Sequence, residues 1–357
     1  MSYDYDRQTK TNPGFTRVEV IQALEDFVAY DTSWTVLQAI PDTPVQGHTP
    51  PASDYAVFHK TNGNAAEDVV IHLWDNFNLE ANFGLNTSTG PFNNTLRWWE
   101  QPGARFGTDT DSHTQTTSAN GNYVEYHFFG YPEYVYVVVK TDSGIWRSFA
   151  FGHIEKLSAI TGGGFACASS HVTSTAASDQ ANSDQHNIFF ESVYSNSSTY
   201  YNYLSQIRVD TLDSDLRYIL GGCTDAVGPN ATRTQELGPN DTYSTCGGIY
   251  NGDTDTDTLQ FEYDKMRRAP SDFSITAPLI PVYIYMGRGN KYVSLVGRLP
   301  HVFAMNIKNI AEATDITIQG ETYTVFPFAR KTTSINPGDN KPNSYYYGFA
   351  LLNKVEA

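Results

Sequence analysis

The fold class is decided by the stretch Tyr134-Val-Tyr-Val-Val-Val-Lys140, Thr141-Asp-Ser-Gly144 and, after Ile145, Trp146-Arg-Ser-Phe-Ala-Phe151. Two runs rich in β-branched and aromatic residues flank a short connection that contains glycine, which is the pattern of a β-hairpin. Similar short apolar runs occur on both sides of this stretch, at residues 55–58, 69–74, 123–128, 281–285, 292–296, 301–307, 316–318, 322–326 and 345–352. The chain is therefore predicted to be mainly β.

One further connection predicts a hairpin in the last third of the chain, and another short connection separates two predicted strands. Gly287-Arg-Gly-Asn290 joins the runs at 281–285 and 292–296, and Gln319-Gly320-Glu321 joins those at 316–318 and 322–326. The first of these is a short glycine-containing connection of the kind typical of hairpins.

One helix is predicted, near the start of the chain. Thr16-Arg-Val-Glu19 has the Ser/Thr-x-x-Glu form, in which two side chains satisfy the first backbone N–H groups of a helix. Val20, Leu24, Phe27 and Val28 follow at helical spacing and form one apolar stripe. The helix is expected over residues 16–30.

The middle of the chain has a different composition. Residues 161–183 are rich in Gly, Ser, Thr and Ala and are expected to form a loop. Residues 187–264 alternate short aromatic runs with long polar connections, as in an insertion or a second, loop-rich unit. The overall prediction is two β-sandwich or barrel-like units with one N-terminal helix and a loop-rich middle segment.

The expected division of the 357 residues follows these changes in pattern. It is an N-terminal arm and helix over 1–50, a first β domain over 51–170, a loop-rich insertion or second unit over 171–270 and a C-terminal β domain over 271–357. The length suits two or three compact units.

Composition excludes some functions and favours others. Charged residues make up 17% of the chain, against about a quarter in ordinary soluble domains. The net charge of −16 opposes direct contact with nucleic acid, which requires a face rich in Lys and Arg. The 24 Tyr and 20 Phe suit strands and the centres of protein interfaces. A binding or assembly role is favoured.

Cysteine usage and hydropathy give expectations about location. Cys167, Cys223 and Cys246 are an odd number and lack C-x-x-C spacing, so neither a disulfide framework nor a zinc site is indicated, and folding in a reducing cytoplasm is expected. The first residues lack the apolar segment of a signal peptide, and no apolar run approaches 18 residues. No membrane span is expected.

An acidic stretch gives the strongest candidate for a metal site. Asp253, Asp255 and Asp257 could offer alternating carboxylates to calcium. Counted from Asp253, however, Thr258 stands where an EF-hand loop needs glycine, and Asp264 stands where it needs a bidentate glutamate. The pattern favours a solvated acidic loop, and no cofactor is expected.

No catalytic residue is indicated by the sequence. The chain contains neither a G-x-S-x-G elbow nor an H-E-x-x-H pair, and a glycosidase needs two carboxylates at a separation that sequence distance does not reveal. His72, His127 and His301 fall within predicted strands and are expected to be packed or edge residues.

Aromatic residues are the candidates for an interface or a ligand surface. Trp98 and Trp99 could stack on sugar rings, although paired tryptophans are more often core or interface anchors. Trp146 is a further candidate of the same kind, and Phe151, Phe165, Phe326 and Phe328 could fill the core or an interface.

Two pairs of motifs carry a resemblance to a known class. Trp146-Arg-Ser-Phe-Ala-Phe-Gly-His153, followed by Gly162-Gly-Gly-Phe165, resembles a strand and Gly-Gly-Phe segment of bacteriophage tail and baseplate proteins. Thr322-Tyr-Thr-Val-Phe-Pro-Phe-Ala-Arg330, followed by Tyr347-Gly-Phe-Ala-Leu351, is similar to the strand pair that ends many phage virion proteins. The resemblance covers about residues 34–165 and 278–357, but not 172–268.

The resemblance implies a structural subunit of a phage virion, in the tail, baseplate or neck, that works through subunit–subunit interfaces rather than catalysis. Other virion proteins and further copies of the chain are the expected partners. One alternative is a receptor- or carbohydrate-binding module at the virion tip, in contact with a host surface glycan. Another is a polysaccharide hydrolase.

Overall fold

The computed structural model describes residues 4–11, 13–31, 33–38, 55–60, 69–76, 82–89, 114–117, 123–141, 144, 146–168, 206–213, 216–221, 243–245, 279–288, 292–327 and 347–355. Within them, one helix and many strands confirm that the chain is mainly β with one N-terminal helix. No helix among these residues has the length and apolar character to cross a membrane.

The helix α1 spans Arg17–Asp31, and the strands are β1 (Asp4–Thr9), β2 (Thr35–Gln38), β3 (Tyr55–Lys60), β4 (Val69–Asn76), β5 (Asn82–Thr89), β6 (Thr114–Thr117), β7 (Tyr123–Gly130), β8 (Tyr134–Thr141), β9 (Trp146–His153), β10 (Glu155–Lys156), β11 (Gly162–Ala168), β12 (Gln206–Asp213), β13 (Leu216–Gly221), β14 (Tyr243–Thr245), β15 (Ile280–Arg288), β16 (Tyr292–Asn306), β17 (Thr314–Ile318), β18 (Glu321–Pro327) and β19 (Tyr347–Val355).

The strands form three open sheets. The first has the order β1-β7-β8-β9-β11-β12-β13. The second has the order β14-β15-β16-β19-β18-β17, with β10 also paired to β16. The third has the order β2-β3-β4-β5-β6. Of the predicted sandwich and barrel forms, the described strands show no barrel closure.

The first sheet is the middle layer of the molecule. On one of its faces Phe128 contacts Phe27 of α1, and Phe151 contacts Phe58 of the third sheet. On its other face Phe129 contacts Phe326 of the second sheet. Adjacent residues of a strand point to opposite faces, so β7 and β9 supply side chains to both interfaces. The buried residues form one hydrophobic cluster.

The predicted helix start is confirmed in detail. The Thr16 backbone N–H donates to Glu19 Oε2 at 2.7 Å, and the Glu19 N–H donates to Thr16 Oγ1 at 3.2 Å. Hydrogen bonds from Lys10 and Thr16 lower the pKa of Glu19 to about 2. Val20, Leu24, Phe27 and Val28 are all buried, as their spacing predicts.

The two predicted hairpins are also confirmed, and a third hairpin joins the strands predicted at 316–318 and 322–326. β8 pairs with β9, β15 with β16 and β17 with β18, each antiparallel. In the last, Gln319 (φ 54°) and Gly320 (φ 83°) are the two loop residues. Two consecutive residues of positive φ are typical of the tight turn whose twist matches the flanking strands.

The prediction of a loop over 161–183 is wrong for residues 162–168, which form β11 between β9 and β12. The glycines suggested a turn, but Gly162 and Gly163 (φ 91° and 98°) lie at an irregularity in the pairing, and regular pairing follows from Gly164. A glycine bulge allows a strand to begin after a bend. The rest of 161–183 beyond Ala168 lies outside the described residues.

Strand pairing crosses the predicted domain boundaries. β1, from the range 1–50, pairs with β7, and β12 and β13, from the range 171–270, complete the first sheet. β14 joins the second sheet. The division of the chain into domains stays a prediction. The aromatic runs at 188–190 and 200–203 lie outside the described residues.

Candidate functional site

The aromatic candidates that the structure describes lie in the core. Trp146 is 1% exposed, and Phe151, Phe165 and Phe326 are completely buried. Core and interface were both open for these residues, and within the single chain the core is where they lie. Trp98, Trp99 and Phe328, like the acidic candidates Asp253, Asp255 and Asp257, lie outside the described residues.

The two motif pairs that carry the resemblance meet across the interface between the first and second sheets. The Trp146 ring on β9 lies 5.2 Å from the Phe326 ring on β18, in an edge-to-face arrangement. Phe326 is also paired with Phe349 on β19, with ring centroids 5.5 Å apart. Segments separated by about half of the chain therefore pack as one unit, called the motif core below (Trp146, Gly152, Phe326, Gly348 and Phe349).

Both glycines of the motif core are required by close backbone approach. A Cβ on Gly152 (φ 147°) would lie 2.4 Å from Glu133 O and 2.4 Å from Tyr134 Cβ. A Cβ on Gly348 would lie 2.3 Å from Phe326 O. Real Cβ atoms do not approach other atoms so closely. The glycines of the quoted motifs thus let β9 and β19 pack against their neighbours.

A polar network lies beside the motif core, at the edge of the first sheet. His127 on β7 is completely buried. Its Nδ1 lies 2.8 Å from the Tyr5 hydroxyl on β1, and its Nε2 lies 3.0 Å from Glu125 Oε1. Arg7 on β1 forms an ion pair with the same Glu125 oxygen at 2.6 Å. The network therefore ties β1 to β7 through two side-chain links.

The hydrogen-bond partners indicate where the protons lie in this network. A neutral imidazole with its proton on Nε2 donates to Glu125 and accepts from the Tyr5 hydroxyl at Nδ1. Burial raises the pKa of Tyr5 to about 12 and lowers the pKa of His127. Burial also opposes the charge on Glu125, but bonds from His127 and Arg7 outweigh it and lower that pKa. All three groups keep the states that their hydrogen bonds require.

A second polar cluster lies within the second sheet, near Tyr5. Thr324 Oγ1 donates to Asp315 Oδ1 at 2.8 Å. Asn353 Nδ2 donates to Thr324 Oγ1 at 2.8 Å and to Asp315 Oδ1 at 3.1 Å. Asp315 also influences the titration of Tyr5 and His127. The polar side chains of the two sheets thus converge on the same junction.

Glu312 forms another link between the sheets. Its Oε2 accepts from Trp146 Nε1 at 2.9 Å, and its Oε1 is paired with Lys140. The Lys140 ammonium also lies 5.0 Å from the centroid of the Trp146 ring. Because Trp146 is buried, its indole N–H would lack a hydrogen-bond acceptor without this carboxylate.

His301 marks a bend in the second sheet. It has a positive φ of 56°, and its ring stacks on Tyr131 and Tyr134 with centroids 5.5 and 5.8 Å away. Pairing with β15 is irregular here: Pro281 is opposite Phe303 but Tyr283 is opposite Arg298, so β16 has three extra residues. The Tyr136 hydroxyl donates to Pro300 O at 2.8 Å. On one side of the bend β16 pairs with β10, and on the other side it pairs with β19.

Hydroxyl, imidazole and carboxylate follow one another in the Tyr5–His127–Glu125 series, as they do in nucleophile relays. Here, however, the imidazole has no exposed surface and is flanked by the rings of Trp146, Phe129 and Phe326. The raised pKa of Tyr5 also keeps its proton in place. The arrangement is suited to cross-linking strands.

The sequence did not reveal this network; it predicted that His127 is a packed or an edge residue, and His127 is packed. One usable signal was present, because Glu125 and His127 are two residues apart in a predicted strand and must share a face. Nothing in the sequence pointed to Tyr5 or Arg7, whose positions depend on β1 pairing with a strand more than a hundred residues later.

No group of three or more His, Cys, Asp or Glu side chains suited to a metal ion occurs in the described part of the chain. A scan against protein-family models and a search of curated proteins found no match to this chain.

Proposed function

We propose that this chain is a noncatalytic structural subunit of a phage virion, a component of the tail, baseplate or neck that acts through interfaces with its neighbours. The observation that carries the proposal is the motif core. Trp146, Phe326 and Phe349, from the segments that resemble phage tail and baseplate proteins, pack against one another, and Gly152 and Gly348 are sterically required there. The resemblance therefore involves one connected piece of scaffold rather than isolated short strings.

The described polar side chains support a noncatalytic role. His127, the best placed acid–base group in the network, is buried, and its hydrogen bonds lead to β1 and to Glu125. Glu312 is held by Lys140 and Trp146. These groups link strands to each other, which is what a subunit that bears load in an assembly needs.

Composition supports assembly with other virion proteins and with copies of the chain. Low charge density at a net charge of −16 keeps a free subunit soluble through repulsion between copies. A symmetric ring then multiplies modest interfaces into a stable particle. Synthesis in the host cytoplasm and incorporation into the virion follow from the same proposal.

Quantitative mass spectrometry of particles from the phage that encodes the chain tests this proposal. The particles are purified through a density gradient and washed at high salt. The expected result is that the chain stays with the major virion proteins, at a fixed small-integer ratio to a known tail component. Recovery of the chain only in the particle-free lysate would contradict the proposal. That result would favour the alternative that the chain is a hydrolase or a free binding protein.

A further inference from the structure

Strand β1 lies over a buried strand but is not itself buried. β1 lies at an edge of the first sheet and pairs along its length with β7, from Asp4 opposite Gly130 to Thr9 opposite Glu125. None of its six residues is buried, whereas seven of the eight residues of β7 are. β1 therefore covers a core strand without contributing a buried residue of its own.

β1 lies against a surface made of three β7 side chains, called the seat below (Glu125, His127 and Phe129). The Tyr5 ring packs on Phe129 at 4.9 Å, and its hydroxyl bonds His127. Arg7 pairs with Glu125. Phe129 and His127 are almost completely buried, so they would meet water if β1 left. The seat binds an extended segment with a tyrosine and an arginine two residues apart. In β1 these residues are Tyr5 and Arg7.

The connection from β1 to the helix has the residues of a hinge. After Lys10, whose N–H donates to Val124 O at 2.9 Å, the chain passes Thr11, Pro13 and Gly14 (φ 85°) before Phe15 pairs with Tyr123. Glycine and proline at this point separate β1 from a helix that is anchored by its own buried face. A different backbone conformation at these residues would place β1 outside the rest of its own chain.

From the seat and the hinge we infer that β1 is an exchangeable arm (residues 4–10), and that its partner is the β7 edge of a second copy of this chain. Exchange replaces each contact made within one copy by the same contact between copies, so no new complementary surface is needed. The main cost is the entropy of association, which a multivalent assembly reduces. The inference does not depend on where the assembly resides.

A natural pair of residues reports which copy an arm occupies. Lys10 Nζ lies 2.7 Å from Glu19 Oε1, and the hinge lies between them. A carbodiimide reagent joins such an amine and carboxylate with no spacer, by activating the carboxylate and losing the activated oxygen as a urea when the amide forms. Trypsin then cuts after Arg7, Arg17 and Lys60 and leaves peptides 8–17 and 18–60 joined.

The experiment mixes full-length chain labelled with ¹⁵N and unlabelled chain in equal amounts, unfolds and refolds them together at high concentration, and separates monomer from oligomer before cross-linking. Exchange predicts that about half of the Lys10–Glu19 links in the oligomer join a heavy peptide to a light one, by random pairing of identical arms. The Lys140–Glu312 pair lies within one body and is the internal control. Its links should stay within one isotope.

Links of one isotope only at Lys10–Glu19 in the oligomer would overturn the inference, because the copies would then associate through another surface, such as the outer edge of β1. A chain that remains monomeric at all concentrations after co-refolding would overturn it as well. A Glu19→Gln variant, which lacks the carboxylate, confirms that the measured link is the intended one.

Discussion

The motif core and the β1 arm belong to the same three-layered molecule, and they are held by different forces. All eight residues of β9 are buried, and its neighbours approach Gly152 so closely that no side chain fits. β1 has no buried residue and is held by backbone pairing, two polar links and the contact of the Tyr5 ring with Phe129. The core should therefore respond to changes in volume, and the arm to changes in hydrogen bonding and protonation.

The largest expected effect is the loss of the Phe326 ring, which contacts Trp146, Phe129, Phe349 and His127. Phe326→Ala should lower the free energy of unfolding by about 4 kcal/mol, because it leaves a cavity in a packed core. Chemical denaturation checks this. Leu157→Ala, at a side chain that is 47% exposed, is the control and should change stability by less than about 0.5 kcal/mol.

Gly152→Ala should be the next most damaging change. The added methyl group collides with Glu133 O and Tyr134 Cβ, and the backbone φ of 147° is unfavourable for alanine. A loss of about 3 kcal/mol is expected in the same assay. Gly320→Ala is the matched control, since Gly320 also has a positive φ but has no atom within 4 Å of the new methyl group. It should lose only about 1 kcal/mol. Equal losses at both sites would contradict the steric account.

The arm's seat should make stability depend on pH below neutrality. His127 has a pKa below its ordinary 6.5 in the folded chain, so the unfolded chain binds the proton first as the pH falls. Its contribution is complete above pH 6.5 and is lost as the pH falls through the folded-state pKa. The slope should approach at most about 1.4 kcal/mol per pH unit.

Urea unfolding between pH 7.5 and 5.5, with His127→Gln as the comparison, measures this contribution. A glutamine amide can donate to Glu125 and accept from Tyr5 without titrating, and His301 remains in both proteins. The variant should therefore show a flatter dependence on pH. Parallel curves for the two proteins would show that His127 makes no such contribution.

The smallest effect concerns the hydroxyl of Tyr5. Tyr5→Phe keeps the ring contact with Phe129 and removes the donor to His127 Nδ1. The expected loss is about 1 kcal/mol, the usual net value of one buried hydrogen bond. Native-state hydrogen exchange should show faster exchange of β1 amides and unchanged rates in β9. Gln8→Ala, at an exposed residue of the same strand, should leave both strands unchanged.

Local chemistry explains which parts of the fold the sequence predicted. The Thr16–Glu19 capping pair, the glycine-containing connection at 141–144 and the alternating runs each depend on residues within one or two turns of chain. The failure at residues 162–168 has a physical cause. Three successive glycines have the composition of a loop, and only the neighbouring strands β9 and β12 make the segment extended.

The candidate site was less accessible to prediction. The sequence selected Trp146, Phe151, Phe165 and Phe326 but did not distinguish core from interface, because both environments favour aromatic residues. The contacts of Phe326 with Trp146, and of Tyr5 with His127, join positions more than a hundred residues apart. Such contacts follow from strand order, which spacing and composition do not specify.

A cryo-EM map of the purified virion tests the central proposal most directly. The account predicts that the three sheets and the helix 17–31 of the described residues fit density in a symmetric ring at the tail, baseplate or neck, with each copy buried against neighbours. A complete map of the particle with no density for this fold would contradict the proposal that the chain is a structural subunit of the virion.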